Sequence, residues 1–157
     1  SRRTIMPDDD RLLFLISQTQ HILKNYLKNE FRSSGVRISP AQMGVLFLLK
    51  LRNARSMSEL GREIGVDNSA ITGFVDRLEK SGFVERRSDP ADRRAYLIHI
   101  TEDGVREINI AKKIVVRTNA LLKEGFTADE IAIFKNVLFS FYSKFGDIAA
   151  AKEDCHE

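Results

Sequence analysis

The sequence predicts a mainly α-helical protein that carries one small antiparallel β-hairpin. Three observations support this fold class. Apolar residues recur every three or four positions through most of the chain, which is the period of an amphipathic helix. Two short runs, residues 83–88 and 95–100, flank the turn sequence "DPADRR" as the strands of a hairpin do. Glycine, proline and hydroxyl residues divide the rest into segments of helical length.

Six helices are expected around the hairpin. Their predicted spans are 8–32, 40 to about 51, 58–64, 69–81, 102–124 and 128–150. The first is a long amphipathic helix with Asp8–Asp10 at its positive end. Side chains that accept backbone hydrogen bonds are expected to begin the others. The predicted caps are Ser39, Ser58, Asp67 or Asn68, Thr101 and Thr127.

Composition indicates one globular domain spanning residues 1–157. The chain has 157 residues, of which 43% are hydrophobic and 30% charged, and this is sufficient for a core. No apolar run reaches the ~18 residues of a membrane span, and we expect no signal peptide. The single cysteine, Cys155, excludes an internal disulfide and suits a reducing compartment. We therefore expect a cytoplasmic protein without a membrane partner.

The net charge of +3 is unevenly distributed. Residues 1–57 carry 10 Lys or Arg and 4 Asp or Glu, a surplus of +6, while the remainder is slightly acidic. A nucleic-acid surface would therefore depend on individually placed arginines. The surplus is equally compatible with phosphate contacts and with an anionic ligand.

The third and fourth helices have the spacing of a helix-turn-helix. In the fourth, one face is apolar and the opposite face contains only small, polar or charged residues. The members of that polar face are Ser69, Thr72, Gly73, Asp76, Arg77 and Lys80. Such a face can enter a DNA major groove, about 12 Å wide, without obstruction. An ordinary surface helix with its polar side in water gives the same pattern.

The hairpin favours the DNA-binding interpretation. A helix-turn-helix followed at once by an arginine-tipped hairpin is a winged helix, here expected over residues 39–101. A tip arginine can enter the minor groove beside the recognition helix.

Two segments resemble the MarR family of bacterial transcription regulators. "DPADRRAYLIHITEDG" (89–104) is similar to the family's wing signature, in which Ile98 and Ile100 replace the commoner Val and Leu. "NSAITGFVDRLEKSGFVERR" (68–87) is similar to its recognition helix and first wing strand. The signature positions are Asp92, Arg94, Ile98, Ile100, Thr101 and Gly104. The order of elements matches over about residues 8–150.

The resemblance implies a set of DNA contacts. Arg77 would contact phosphate or steady the wing, and Arg94, held by Asp92, would enter the minor groove. Only one of Arg86 and Arg87 would face DNA, since they alternate along a strand, and Arg86 is the one assigned. The full predicted set is Ser39, Gln42, Asn68, Ser69, Thr72, Gly73, Arg77, Arg86, Asp92, Arg93 and Arg94.

The resemblance also implies a homodimer on a pseudo-palindromic operator, built from residues 8–32 and 102–150. An apolar seam in the last helix supports this independently, because its residues are spaced three and four apart. They are Ile131, Phe134, Leu138, Phe141 and Phe145. Packing within the chain is the alternative. Two recognition helices would address half-sites about one turn of DNA apart.

A small-molecule effector is expected to release the DNA, as an aromatic acid or its coenzyme A thioester does for many family members. The candidate pocket residues are Phe14, Ser17, Gln18, His21, Met43 and Phe47. The aromatic residues and Met43 could equally be core, and His21 a solvated or interface histidine. Whether the protein represses or activates depends on its operator, although repression is the expected output.

The sequence lacks the motifs of enzymes and of metal-binding proteins. No phosphate-binding glycine loop or nucleophile motif is present, so no catalytic residue or cofactor is predicted. The three histidines are scattered, so no metal site is expected. Two alternatives remain: a winged helix that binds protein instead of DNA, and a thiol-responsive regulator that uses Cys155 beside His156.

Overall fold

The computed structural model describes residues 11–92 and 94–153, with 147–153 by their backbone alone. Six helices and three strands lie in this part of the chain, which confirms the mainly helical fold class. In order they are α1 (Leu12–Ser33), α2 (Pro40–Leu51), β1 (Arg55–Ser56), α3 (Met57–Ile64), α4 (Asn68–Lys80), β2 (Val84–Ser88), β3 (Tyr96–Ile100), α5 (Glu102–Lys123) and α6 (Ala128–Glu153). The acidic run Asp8–Asp10 lies outside the described residues.

Side-chain caps begin several of these helices. Ser39 and Gln42 form a reciprocal capping box at α2: the Ser39 hydroxyl accepts from the Gln42 N–H at 3.2 Å, and Gln42 Oε1 accepts from the Ser39 N–H at 2.8 Å. Asp67 caps α4 by accepting from the Ala70 N–H at 2.7 Å. Because a capping oxygen satisfies N–H groups that have no partner inside the helix, these contacts fix where each helix starts.

The predicted cap of α3 is wrong. Ser56, not Ser58, accepts the N–H of Glu59, at 3.2 Å. Ser56 has the extended conformation of a cap residue because it still belongs to strand β1, whereas Ser58 already lies within the helix.

The sheet has one more strand than the predicted hairpin. Its order is β1-β3-β2, and both pairings are antiparallel. Strand β1 contributes only Arg55, opposite Ile98, and Ser56, opposite Leu97. Two residues are too few to produce an alternating pattern in the sequence, so only the partner strand defines β1.

The core of the winged helix brings α2, α3 and α4 together with the sheet. Its fully buried members include Leu46, Leu60, Ile71, Val75, Leu78, Phe83 and Ile98. Helix α5 begins directly against this core. A Cβ on Gly104 would overlap the carbonyl oxygen of Phe83 and lie 2.8 Å from Ile100 Cγ1. The Thr101 hydroxyl donates to the Gly82 carbonyl at 2.6 Å and accepts from the Gly104 N–H at 3.0 Å. Only glycine, which has no Cβ, allows the start of α5 to lie this close to Phe83 and Ile100.

The chain forms two compact units, one up to Val116 and one from Arg117, and α5 contributes to both. In the second unit, α6 leaves large apolar side chains exposed. They are Ile133, Phe134, Val137, Leu138, Phe139, Tyr142 and Phe145. Of the helices in the described part of the chain, none is both long and apolar enough to cross a membrane.

Candidate nucleic-acid interface

Helix α4 presents a polar face between its buried stripe and solvent. Ile71, Val75 and Leu78 are fully buried on the winged-helix core. On the other side Gly73 is half-buried, and the remaining candidates are exposed. The exposed residues are Asn68, Ser69, Thr72, Asp76, Arg77 and Lys80. The Thr72 hydroxyl donates to the Asn68 carbonyl at 2.6 Å, so its oxygen remains available as an acceptor.

Arg77 lies back over the preceding turn of α4. Its guanidinium stands 5.6 Å from the centre of the Phe74 ring, within the range of a cation–π contact. The same group lies beside Gly73, where an added Cβ would be 3.6 Å from one terminal nitrogen. This direction follows from helix geometry, since side chains lean toward the helix N-terminus.

Two aspartates shape the tip of the wing. Asp89 Oδ1 accepts from the Ala91 N–H at 2.8 Å, and Asp92 Oδ1 accepts from the Arg94 N–H at 2.9 Å. Such turns stabilise a defined loop conformation. Asp92 therefore holds the backbone of Arg94, not its guanidinium. Arg94 is exposed and has no ion pair with any described residue, whereas Arg93 lies outside the described residues.

Arg86 joins the wing to α4. One terminal nitrogen donates to Asp76 Oδ1 at 2.5 Å, and the other forms an ion pair with Glu79. The Arg86 N–H also donates to Glu79 Oε1 at 3.3 Å. The hydrogen bond to Asp76 and the negative charges of both carboxylates outweigh partial burial and raise the pKa of the Arg86 guanidinium. Its charge is therefore already compensated within the protein.

Asp76 and Glu79 are site residues that the sequence analysis did not assign. The sequence carried a signal for Asp76 alone, because a carboxylate on a face expected to meet phosphates would repel them unless a cation paired with it. On the next residue of the strand, Arg87 is exposed and forms an ion pair with Glu85.

The start of α2 has fewer free side-chain groups for a DNA phosphate than the sequence predicted. Gln42 is only 8% exposed, and its side-chain oxygen closes the capping box. The Ser39 hydroxyl is half-buried and occupied by the Gln42 N–H.

The residues predicted for ligand binding lie on α1 and α2. Phe14, Ser17, Gln18 and His21 are exposed on α1, and the His21 ring contacts the Asn25 amide at 2.9 Å. On α2, Met43 packs at the margin of the core and Phe47 is 44% exposed. A recess of about 570 Å³ lies on α5, but none of these six residues lines it. Its described lining is Asn109, Lys112, Lys113 and Val116.

Known proteins share this architecture. A sequence model of the MarR family matches residues 38–96. The multiple antibiotic resistance protein MarR of Salmonella typhimurium is 30% identical over 133 residues, which cover 82% of this chain and 86% of that protein. The crystal structure of wild-type apo MarR from E. coli is 28% identical, with a TM-score of 0.69 over 88% of this chain and 98% of the other.

A third similarity concerns the fold alone. The PcaV transcriptional regulator from Streptomyces coelicolor, solved in complex with its natural ligand, is 23% identical, with a TM-score of 0.72 over 90% of this chain and 97% of the other. The similarity to the Salmonella protein extends over most of both sequences, and the segment that the family model matches contains α2, β1, α3, α4 and β2 and ends at the first residue of β3. This chain therefore belongs to the MarR family of DNA-binding transcription regulators, which is not a family of enzymes.

Proposed function

We propose that the protein is a homodimeric, sequence-specific repressor that binds a pseudo-palindromic operator and is released by a small-molecule effector. One observation carries the DNA-binding part of the proposal. The polar face of α4 lies beside a wing whose tip arginine, Arg94, has no ion pair among the described residues. A recognition helix in the major groove and an arginine in the adjoining minor groove would then address one half-site.

Several of the predicted DNA contacts have a defined role in this proposal. Ser69 and Thr72 supply hydroxyls to base edges or phosphates, with Asn68 beside them. Asp92 fixes the turn that presents Arg94. Gln42 serves the start of α2 instead of a phosphate, because its side chain is buried in the capping box.

We assign Arg86 a bracing role. Its charge is already balanced by Asp76 and Glu79, so a DNA phosphate would gain less from Arg86 than from an arginine without such partners. While those contacts persist, they link strand β2 to α4. The angle between wing and recognition helix would then be fixed before DNA binds, which lowers the ordering cost of binding.

The exposed apolar side chains of α1 and α6 support a homodimer. On α1 the large exposed residues are Leu12, Leu13, Phe14, Ile16, Ile22 and Tyr26. On α6 they include Phe134, Leu138 and Phe145 of the predicted seam. Large apolar side chains exposed in such numbers on one helix are typical of protein interfaces, because their burial removes apolar area from water. A two-fold dimer would present two recognition helices to a palindromic site.

Effector release remains part of the proposal. PcaV has the same fold and was solved with its natural ligand. We propose an aromatic acid or its coenzyme A thioester, contacted by the exposed α1 residues Ser17, Gln18 and His21 and by three apolar residues. The apolar residues are Phe14, Met43 and Phe47.

A titration against DNA from immediately upstream of the protein's own gene tests the proposal. For ~6–10 phosphate contacts, affinity should fall roughly 10³–10⁵-fold between about 50 and 200 mM salt, and unrelated DNA should bind far more weakly. Weak binding that ignores sequence at both salt concentrations would leave two alternatives, an operator elsewhere or a winged helix whose partner is not DNA.

A further inference from the structure

The two flanks of the α4 polar face differ in charge. On the flank toward the wing, Arg86 is paired with Asp76 and Glu79. On the opposite flank, Arg77 is exposed and has no carboxylate partner among the described residues. Among the described residues, the guanidinium is positioned by its contact with the Phe74 ring and its place beside Gly73. Its hydrogen-bond donors therefore remain available to DNA.

Gly73 clears the space that Arg77 enters. Its φ is not in the left-handed region, so the backbone does not require a glycine there. A glycine inside a helix lowers the stability of the helix by about 1 kcal/mol relative to alanine. Gly73 therefore destabilises α4, and the backbone conformation at this position does not explain why a glycine is present. A Cβ at this position would make ordinary contacts of 3.6 and 3.8 Å with the two terminal nitrogens, whereas a longer side chain would extend into the space where the guanidinium lies.

The guanidinium is thereby directed toward the part of α4 expected to enter the groove. Ser69, Thr72 and Gly73 belong to the first two turns of the helix, and the N-terminal part of a recognition helix is the part that contacts base edges. An arginine that reaches a base edge pairs most often with guanine, donating two hydrogen bonds to O6 and N7. Lysine carries the same charge but lacks the planar fork.

We propose that Arg77 is a specificity-determining residue that reads a guanine in the major groove across Gly73, instead of a phosphate contact. The inference rests on the proposed function, since it requires sequence-specific DNA binding. The base partner is one G·C pair in each half-site. Arg77 is exposed, so its replacement should leave the fold intact.

The test is selection of bound sites from a pool of double-stranded DNA with a randomised region of about 20 base pairs, long enough for two half-sites. The full-length wild type, Arg77→Lys and Arg77→Ala are compared. Arg87→Lys is the matched control, because Arg87 is also an exposed arginine but is paired with Glu85. Affinities for the selected site, and for the site with its G·C pair exchanged, are then measured across salt concentrations.

We expect the wild type and Arg87→Lys to select the same G·C pair. Arg77→Lys should lose most of the discrimination at that pair, roughly 5–150-fold, and keep the salt dependence. A phosphate contact predicts the reverse: Arg77→Lys would select the wild-type site, and Arg77→Ala would weaken all sequences alike with a salt slope reduced by about one per protomer. That result overturns the inference and leaves the proposed function intact. If the wild type enriches no sequence, both fail.

Discussion

Arg55 provides the most direct test of how the small sheet is attached to the helix-turn-helix. Replacing it with methionine keeps an aliphatic stem and removes the guanidinium. The residue is only 6% exposed. Its Nε donates to the Arg52 carbonyl at 3.0 Å, and a terminal nitrogen lies 2.5 Å from Glu63 Oε1 and 3.5 Å from Glu59 Oε1. Because Glu59 and Glu63 belong to α3, the side chain ties β1 to that helix.

The size of the effect follows from the exposure of the partners. Removing one member of a fully buried pair costs about 3–5 kcal/mol. Here the side chains of Glu59 and Glu63 are 23% and 38% exposed, so water can partly solvate the carboxylates that Arg55 leaves. We therefore expect Arg55→Met to lower the free energy of unfolding by about 2–3 kcal/mol. For a chain of this length, Tm should fall by roughly 5–10 °C.

Circular dichroism at equal protein concentration measures this shift. Arg106→Met is the matched control, because Arg106 pairs with Asp103 at the surface, where the side chains are 66% and 61% exposed. Exposed pairs contribute little, so the control should melt within ~2 °C of wild type. If Arg55→Met melted as close to wild type as the control, the argument that burial makes this network important would be refuted.

Four further results are expected. Gly104→Ala should destabilise the protein by about 3 kcal/mol or prevent folding, since its Cβ would overlap the Phe83 carbonyl oxygen; chemical denaturation measures the loss. Ala54→Gly should raise stability by about 0.5 kcal/mol in the same assay, because Ala54 has a φ of 61° that glycine adopts without strain. Arg94→Ala should weaken DNA binding at least ~10-fold with no change in Tm if the wing tip enters a groove, and unchanged affinity in a gel-shift titration would exclude that role. The backbone and side-chain hydrogen bonds from Thr127 lower the pKa of Glu130, so their contribution to stability should be present above the usual Glu pKa and be lost as the pH falls through the lowered one; a carboxyl NMR titration that finds the pKa of Glu130 at or above the usual Glu value would contradict this.

Helices and strands whose conformation depends on neighbouring residues in the sequence were predicted correctly from short sequence patterns. The start of α2 at Pro40 followed from Ser39 and Pro40 alone, because the capping box lies within four residues. The hairpin strands were recognisable because alternation and a turn sequence coincide within a short segment. Strand β1 was missed because its conformation depends on pairing with β3, far along the chain.

The side-chain contacts at the candidate site depend on such distant pairing as well. The alternation of side chains along a strand indicated that Arg86 and Arg87 lie on opposite faces of the sheet. It did not show which of the two arginines faces α4. That depends on Asp76 and Glu79, which the fold brings beside the strand. Likewise, helical spacing placed Gln42 on the first turn of α2, but its burial in the capping box depends on packing around that turn.

A competition titration tests the central claim, sequence-specific DNA binding, most directly. The protein is bound to a labelled fragment containing its selected site, and unlabelled competitors of equal length and base composition are added, one with the same site and one shuffled. The account predicts that the shuffled DNA must be present in at least ~10³-fold greater excess to displace the label. Equal competition by both would contradict it.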